Sequence, residues 1–237
     1  MRLDKFLSDA VGITRSKAKS AILAGRVCID STIFKDCKKQ VDPDNDCVTL
    51  DGVKIVYSQY KYIMLNKPKG VVCANNDSHH KTVFDLIDDP ALKKDMFVCG
   101  RLDRDTTGFV LVTNNGPLAH MLLSPKNHVS KVYEVTLENG DMKGYDTAFA
   151  QGIVLNDGFI CRPANFKKID EKICLVELVE GKFHQVKRMF EVMGNKVNSL
   201  KRISFAGIEL DKELKEGEFR TLNDFEKEKL LAKRTKK

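Results

Sequence analysis

The chain has 237 residues, 42% apolar and 31% charged, with 40 basic and 33 acidic side chains giving a net charge of +7. That length suits one large domain, or a small one followed by a medium one, with enough apolar mass to bury a core. No run approaches the roughly 18 consecutive apolar residues of a membrane span, and the opening stretch MRLDKFLSDA does not read as a signal peptide, so a cytoplasmic chain with no membrane partner is expected.

In chain order, the first segment reads as two helices followed by short strands. LDKFLSDA carries Leu3, Phe6, Leu7 and Ala10 at helical spacing. TRSKAKSAILAG follows, with Thr14 placed to cap its start and Gly25 to stop it. Ala18, Ala21 and Ile22 share one face of that helix, while Arg15, Lys17 and Lys19 lie mostly elsewhere. RVCID is a short strand ending in an Asp30-Ser31 turn, and CVTLDGVKIVY predicts a hairpin around Asp51-Gly52. The unit closes near Tyr57, with SQYK as a short linker, so a first domain is expected over residues 1–57.

The second domain, expected over residues 61–230, alternates strands and helices. YIMLNKPKGVVCA predicts two strands broken at Pro68-Lys69-Gly70, and TVFDLI a short helix. MFVCG and FVLVT are strands on either side of the loop GRLDRDTTG. Asn115-Gly116-Pro117 turns the chain into a helix over LAHMLLS, KVYEVTL is a strand, MKGYDTAFAQG a helix and KICLVELVEG a strand. HQVKRMFEVMG is a helix stopped by Gly194, and VNSLKRISFAGIEL returns to strand. The charge-rich end EKEKLLAKRTKK is expected to fray into solvent, closing in a basic tail over residues 231–237. This order fits an α+β fold: a small N-terminal domain, then a domain built on a mostly antiparallel sheet.

The charges are unevenly spread. Between Asp9 and Asp30 there is no acid, while Arg15, Lys17, Lys19 and Arg26 are all present. From Gly181 to Phe205 six bases (Lys182, Lys187, Arg188, Lys196, Lys201, Arg202) face one acid, Glu191. Two basic surfaces suggest a polyanionic partner; either stretch alone is equally well a solvated helix face. The seven cysteines are scattered and never spaced C-x-x-C, so reduced thiols are expected and zinc or redox motifs are unsupported. His79-His80 has no cysteine pair beside it and reads as loop.

The loop GRLDRDTTG places Asp103 and Asp105 among Arg101 and Arg104. A carboxylate metal loop needs further oxygen ligands at set spacing, and a phosphate cradle needs a Gly-rich pattern; neither is present. A tight turn, with Asp and Thr side chains bonding their own backbone, accounts for Asp105, Thr106 and Thr107. Asp103 stands apart, following a strand edge directly.

Residues 1–57 resemble the S4 RNA-binding domain, in the R-L-D-K start, the helix pair and the G-R-V turn. The resemblance implies RNA binding through Arg15, Lys17, Lys19 and Arg26. G-R-L-D-x-x-T-x-G followed by an apolar strand and T-N-x-G resembles the active-site motif of the pseudouridine synthases that modify ribosomal RNA. YIMLNKPKG, KVYEVTL and EGKFHQVKRM match the same family in order.

That resemblance implies isomerisation of uridine to pseudouridine with no cofactor and no metal. Asp103 would be the essential carboxylate, either attacking C1′ or taking a proton from C2′; the sequence leaves both open. Lys187, with Arg188 as second choice, would be the base set against it; the alternative for Lys187 is ordinary contact with the RNA backbone. Tyr133 would stack on the uracil, Leu200 would wall the pocket, and Arg101 would hold the flipped nucleotide, unless it merely pairs with Asp105. Lys182 and Arg188 join the RNA-binding set.

The S4 segment, the D-T-T-G ending and EGKFHQVKRM are most similar to the small-subunit, RsuA-type branch, for which His184 is a marker with no catalytic role assigned. Phe109 and Phe183 stand where Leu or Tyr is frequent. The implied target is uridine 516 of 16S rRNA, in a partly assembled small subunit, acted on by a monomer. The other readings are a large-subunit 23S rRNA enzyme of the same family, a non-catalytic S4-type assembly factor, and a metal-dependent hydrolase using Asp103 and Asp105.

Overall fold

The computed structural model describes residues 1–93 and 95–232; most of the expected basic tail, residues 233–237, lies outside them. The chain divides into two compact units, Met1–Lys61 with Ile87–Met96, and Tyr62–Leu86 with Phe97–Lys237. Among the described residues no helix is long and apolar enough to cross a membrane.

The first unit opens with helices α1 (Leu3–Val11) and α2 (Arg15–Leu23). Thr14 caps α2 by accepting from the Lys17 amide at 3.3 Å. Strands β1 (Val27–Ile29), β2 (Thr32–Ile33), β3 (Val48–Leu50) and β4 (Val53–Lys54) form an antiparallel sheet ordered β2-β1-β3-β4. Both of its tight turns have two left-handed residues, Asp30-Ser31 and Asp51-Gly52, the geometry that matches strand twist in two-residue hairpins. Leu3, Phe6, Leu7, Ala18, Ile22 and Val27 make the core where helices meet sheet. A short helix, α3 (Pro90–Lys93), completes the unit.

The second unit carries β5 (Tyr62–Lys67), β6 (Phe97–Cys99), β7 (Thr107–Thr113), α4 (Gly116–Leu123), β8 (Lys131–Leu137) and α5 (Tyr145–Gln151). Then come β9 (Asn165–Lys168), β10 (Ile173–Leu178), α6 (Gln185–Val192), β11 (Val197–Phe205), β12 (Ile208–Glu209), β13 (Phe219–Thr221) and α7 (Asp224–Ala232). Among the described residues nine strands form one sheet, ordered β13-β5-β7-β11-β8-β10-β9, with β12 on β11 and β6 on β7.

All pairings are antiparallel except β7 with β11, which meet in parallel only at Thr107 and Gly108. Further along the same edge of β7, Leu111–Thr113 pairs with β6. The loop joining β6 to β7 therefore emerges where one neighbour of β7 gives way to another. Gly108 makes this seam possible: at φ +100° it has no Cβ, which would otherwise lie 2.3 Å from the Arg202 carbonyl oxygen. Tyr145 and Phe149 of α5 and Phe190 of α6 pack with Phe166 of β9, ring centroids 5.1–6.5 Å apart. Because α6 buries Val186, Met189 and Phe190 at helical spacing, Lys187 and Arg188 stay at its margin.

Several expectations need correction. VVCA forms no second strand; Val72 makes only an isolated bridge to Thr82. The final strand folds back at Ala206-Gly207 into the β11–β12 hairpin. The charge-rich end does not fray as far as Ala232: it is α7, with Leu230 fully buried. Asn223 and Glu226 cap that helix reciprocally, each side chain accepting the other's amide at 2.9 Å. Arg220 ties the same end to Glu226 and Asp211. The Asn-x-x-Glu spacing was the available signal for this helix start.

Candidate active site

The loop Gly100–Thr106 is pinned from several sides. The Thr106 amide donates to the Asp103 carbonyl at 3.1 Å, closing a turn. The Arg104 carbonyl accepts from the Gly70 amide at 2.8 Å and from Lys67 Nζ at 3.2 Å. Cys73 Sγ accepts from the Leu102 amide at 3.3 Å, and the Arg104 guanidinium meets the His80 ring at 2.7 Å. Lys67 is fully buried, and burial pushes its ammonium below the ordinary lysine value, against the pull of Cys73, Asp105 and Asp103. The NKPKG stretch thus holds the loop, a role its reading as a turn did not reveal.

Arg202 braces the other side. Only 1% exposed, it donates from Nε to the Phe109 carbonyl at 2.8 Å and from Nη2 to the Gly100 carbonyl at 3.4 Å, with its guanidinium 5.1 Å from the Phe205 ring. Counting it with a basic surface was wrong. It is an interior cation satisfied by backbone oxygens on both flanks of the loop.

The loop opens onto a cavity of about 520 Å³, lined among others by Arg101, Asp103, Tyr133, His184 and Leu200. Tyr133 and Leu200 are buried on neighbouring strands, Tyr133 opposite Arg202 and Leu200 opposite Val135. Asp103 is partly exposed, with His184 Nε2 at 3.6 Å and Lys187 Nζ at 3.4 Å. Lys187 lies nearer to Asp105, at 2.5 Å. Burial raises the Asp105 pKa, but the Lys187 hydrogen bond and charge outweigh it, leaving that carboxyl below its usual range.

Asp105 therefore does more than shape the turn, and its partner is Lys187 rather than Arg101. Thr106, 1% exposed and on the cavity wall, has no hydrogen-bond partner for its hydroxyl among the described residues, so it does not bond its own backbone.

Lys131 also lines the cavity and was not singled out from the sequence. Its Nζ donates to the Val129 carbonyl at 2.9 Å; burial and then the Arg202 charge lower its pKa to about 8. Lys182 is exposed, with its ammonium 4.8 Å from the Phe159 ring, and Arg188 is paired with Asp157 at 2.5 Å. In the first unit, Lys17 and Lys19 are exposed, whereas Arg15 pairs with buried Asp4 and Arg26 with Asp51. Among the described residues no group of three or more His, Cys, Asp or Glu side chains is arranged to hold a metal ion.

The RNA pseudouridylate synthase family matches residues 61–192, and the S4 domain matches residues 1–47. Ribosomal small subunit pseudouridine synthase A of Haemophilus influenzae is 40% identical over 232 residues, 98% of this chain and all of that protein. The protein of the same name from Escherichia coli (strain K12) is 39% identical over 228 residues, 95% of this chain and 98% of that one. A Bacillus subtilis relative named uncharacterized RNA pseudouridine synthase YtzG is 41% identical over 230 residues, 95% of this chain and 96% of its own. Among solved structures, one described as a crystal structure of pseudouridylate synthase is 40% identical with a TM-score of 0.69, covering 97% of this chain and 99% of that one.

Proposed function

This chain belongs to the RNA pseudouridylate synthase family, and from that premise we propose that it isomerises uridine 516 of 16S rRNA to pseudouridine, with Asp103 as the essential carboxylate. What supports the target is that relatives matched over nearly their full length carry small-subunit names. What supports the residue is one arrangement: Asp103 borders a cavity together with Tyr133, Leu200 and Arg101, and stands 3.4 Å from the Lys187 ammonium.

The isomerisation breaks the C1′–N1 bond, turns the uracil and joins C5 to C1′; the proton on C5 leaves and N1 ends protonated. In one route an Asp103 oxygen bonds C1′ as N1 departs, and that ester breaks when C5 attacks. In the other, Asp103 takes the C2′ proton as N1 departs and later returns it. Both use the carboxylate form of Asp103, which has the Lys187 ammonium 3.4 Å away. The Tyr133 ring, on the cavity wall, would lie against the uracil, and its hydroxyl would assist loss of the C5 proton. Arg101, exposed at the cavity, suits a phosphate or unstacked base of the extruded nucleotide.

The test is pseudouridine mapping across rRNA from cells with and without the gene. Loss of one signal at position 516 of 16S rRNA supports the reading; loss at a 23S position instead assigns the large-subunit target. No lost signal overturns the proposal.

A further inference from the structure

Phe183 is 75% exposed, the most exposed phenylalanine among the described residues. It stands on a segment that is held rather than loose. The Lys182 amide donates to Gln185 Oε1 at 2.9 Å, Gln185 Nε2 donates to Glu180 Oε1 at 2.6 Å, and the Arg162 amide donates to the same oxygen at 2.9 Å. Glu180 and Gln185 are both buried, so the ring's footing is preorganised. His184, at φ +50°, lays its imidazole parallel to the Phe183 ring, with centroids 3.8 Å apart and planes 16° apart. That imidazole also borders the site cavity, with Nε2 at 3.6 Å from Asp103.

The two rings form a short stack that starts at the cavity wall and ends in solvent. Phe183 itself is not part of the wall, whereas Tyr133 is, so the target uracil and the Phe183 face are different positions. An exposed aromatic face continuous with a nucleotide site suits a nucleobase: every base has a π-face, and stacking needs no particular sequence. We propose that Phe183, backed by His184, is a stacking subsite for an unpaired base flanking the target uridine. This rests on the RNA-modifying reading above, and it adds where the strand runs beyond the flipped nucleotide.

The chain contains no tryptophan, so Phe183→Trp supplies a lone fluorescent reporter at this position. Phe225→Trp, at a residue 70% exposed on α7, is the control. Titration with a synthetic RNA spanning uridine 516 should quench the first and leave the second unchanged. Phe183→Ala should raise KM about tenfold with kcat within twofold, and Phe183→Tyr should restore KM. An abasic nucleotide beside the target should reproduce the loss in the parent protein and add nothing in Phe183→Ala. Unchanged emission from Phe183→Trp at saturating RNA, or equal quenching at both positions, overturns the subsite. If the parent protein forms no pseudouridine, the functional reading fails instead; the fluorescence titration still decides the base contact.

Discussion

Lys187 sits closer to Asp105, at 2.5 Å, than to Asp103, at 3.4 Å, so one ammonium serves two carboxylates of unequal chemical prospects. Only Asp103 borders the cavity. We expect Asp103→Asn to abolish pseudouridine formation while RNA affinity stays within a few-fold, and Asp105→Asn to keep activity within about tenfold. A pseudouridine assay beside a binding titration separates the two acids.

The same pair sets a pH dependence of stability. The Asp105 pKa lies below 3.8 in the folded chain, so its contribution is present above that value and is lost as pH falls through the depressed one. More than half of the Asp105 side chain is exposed, which limits the contribution to about 1 kcal/mol or less. Urea unfolding of Asp105→Asn should show a small deficit at pH 7 that shrinks as pH falls below 3.8.

Gly108→Ala should cost about 3 kcal/mol or more, because its Cβ would enter the Arg202 backbone and its φ of +100° is closed to alanine. Gly70, where a Cβ meets nothing within 4 Å, should tolerate alanine better despite its positive φ. Urea midpoints of the two variants test the comparison.

Lys131 should titrate near pH 8. Below that pH its partly buried charge opposes folding; between about 8 and 10.5 the unfolded chain holds more protons and stability rises with pH. Lysine Nζ resonances followed by NMR should show one group titrating near 8 that is missing from Lys131→Met. That variant should gain stability at pH 7 and lose the advantage toward pH 10.5.

In the S4 unit, Lys17, Lys19, Arg15 and Arg26 are all exposed, but Arg15 and Arg26 are engaged by Asp4 and Asp51. Replacing both lysines by glutamine should weaken RNA binding and flatten the slope of log affinity against log salt by about 1.5. Affinities measured at four salt concentrations suffice. Replacing Arg15 instead should chiefly destabilise the fold, by stripping a partner from Asp4.

Local order was legible wherever neighbours in sequence are neighbours in space. The apolar spacing of α1 and α2, the Thr14 cap and the Asp-Ser and Asp-Gly turns all act within a few residues. The α7 capping box was equally local and simply went unread beneath the charge of that stretch. Arg202 was misread for another reason: its charge put it with the nearby lysines, and only the folded chain brings it the Phe109 and Gly100 carbonyls that let a guanidinium lie inside.

By itself, then, the sequence determined the two-part α+β build and the motif residues, because periodicity, turn chemistry and the ordered motifs are written in short windows. The tertiary structure alone decided which acid Lys187 meets, 82 residues away, that Lys67 and Arg202 clamp the loop from beneath and beside, and that Phe183 faces solvent on a histidine. Those are matters of distance across a sheet, where a shift of an ångström changes a hydrogen-bond partner and no local pattern carries the information.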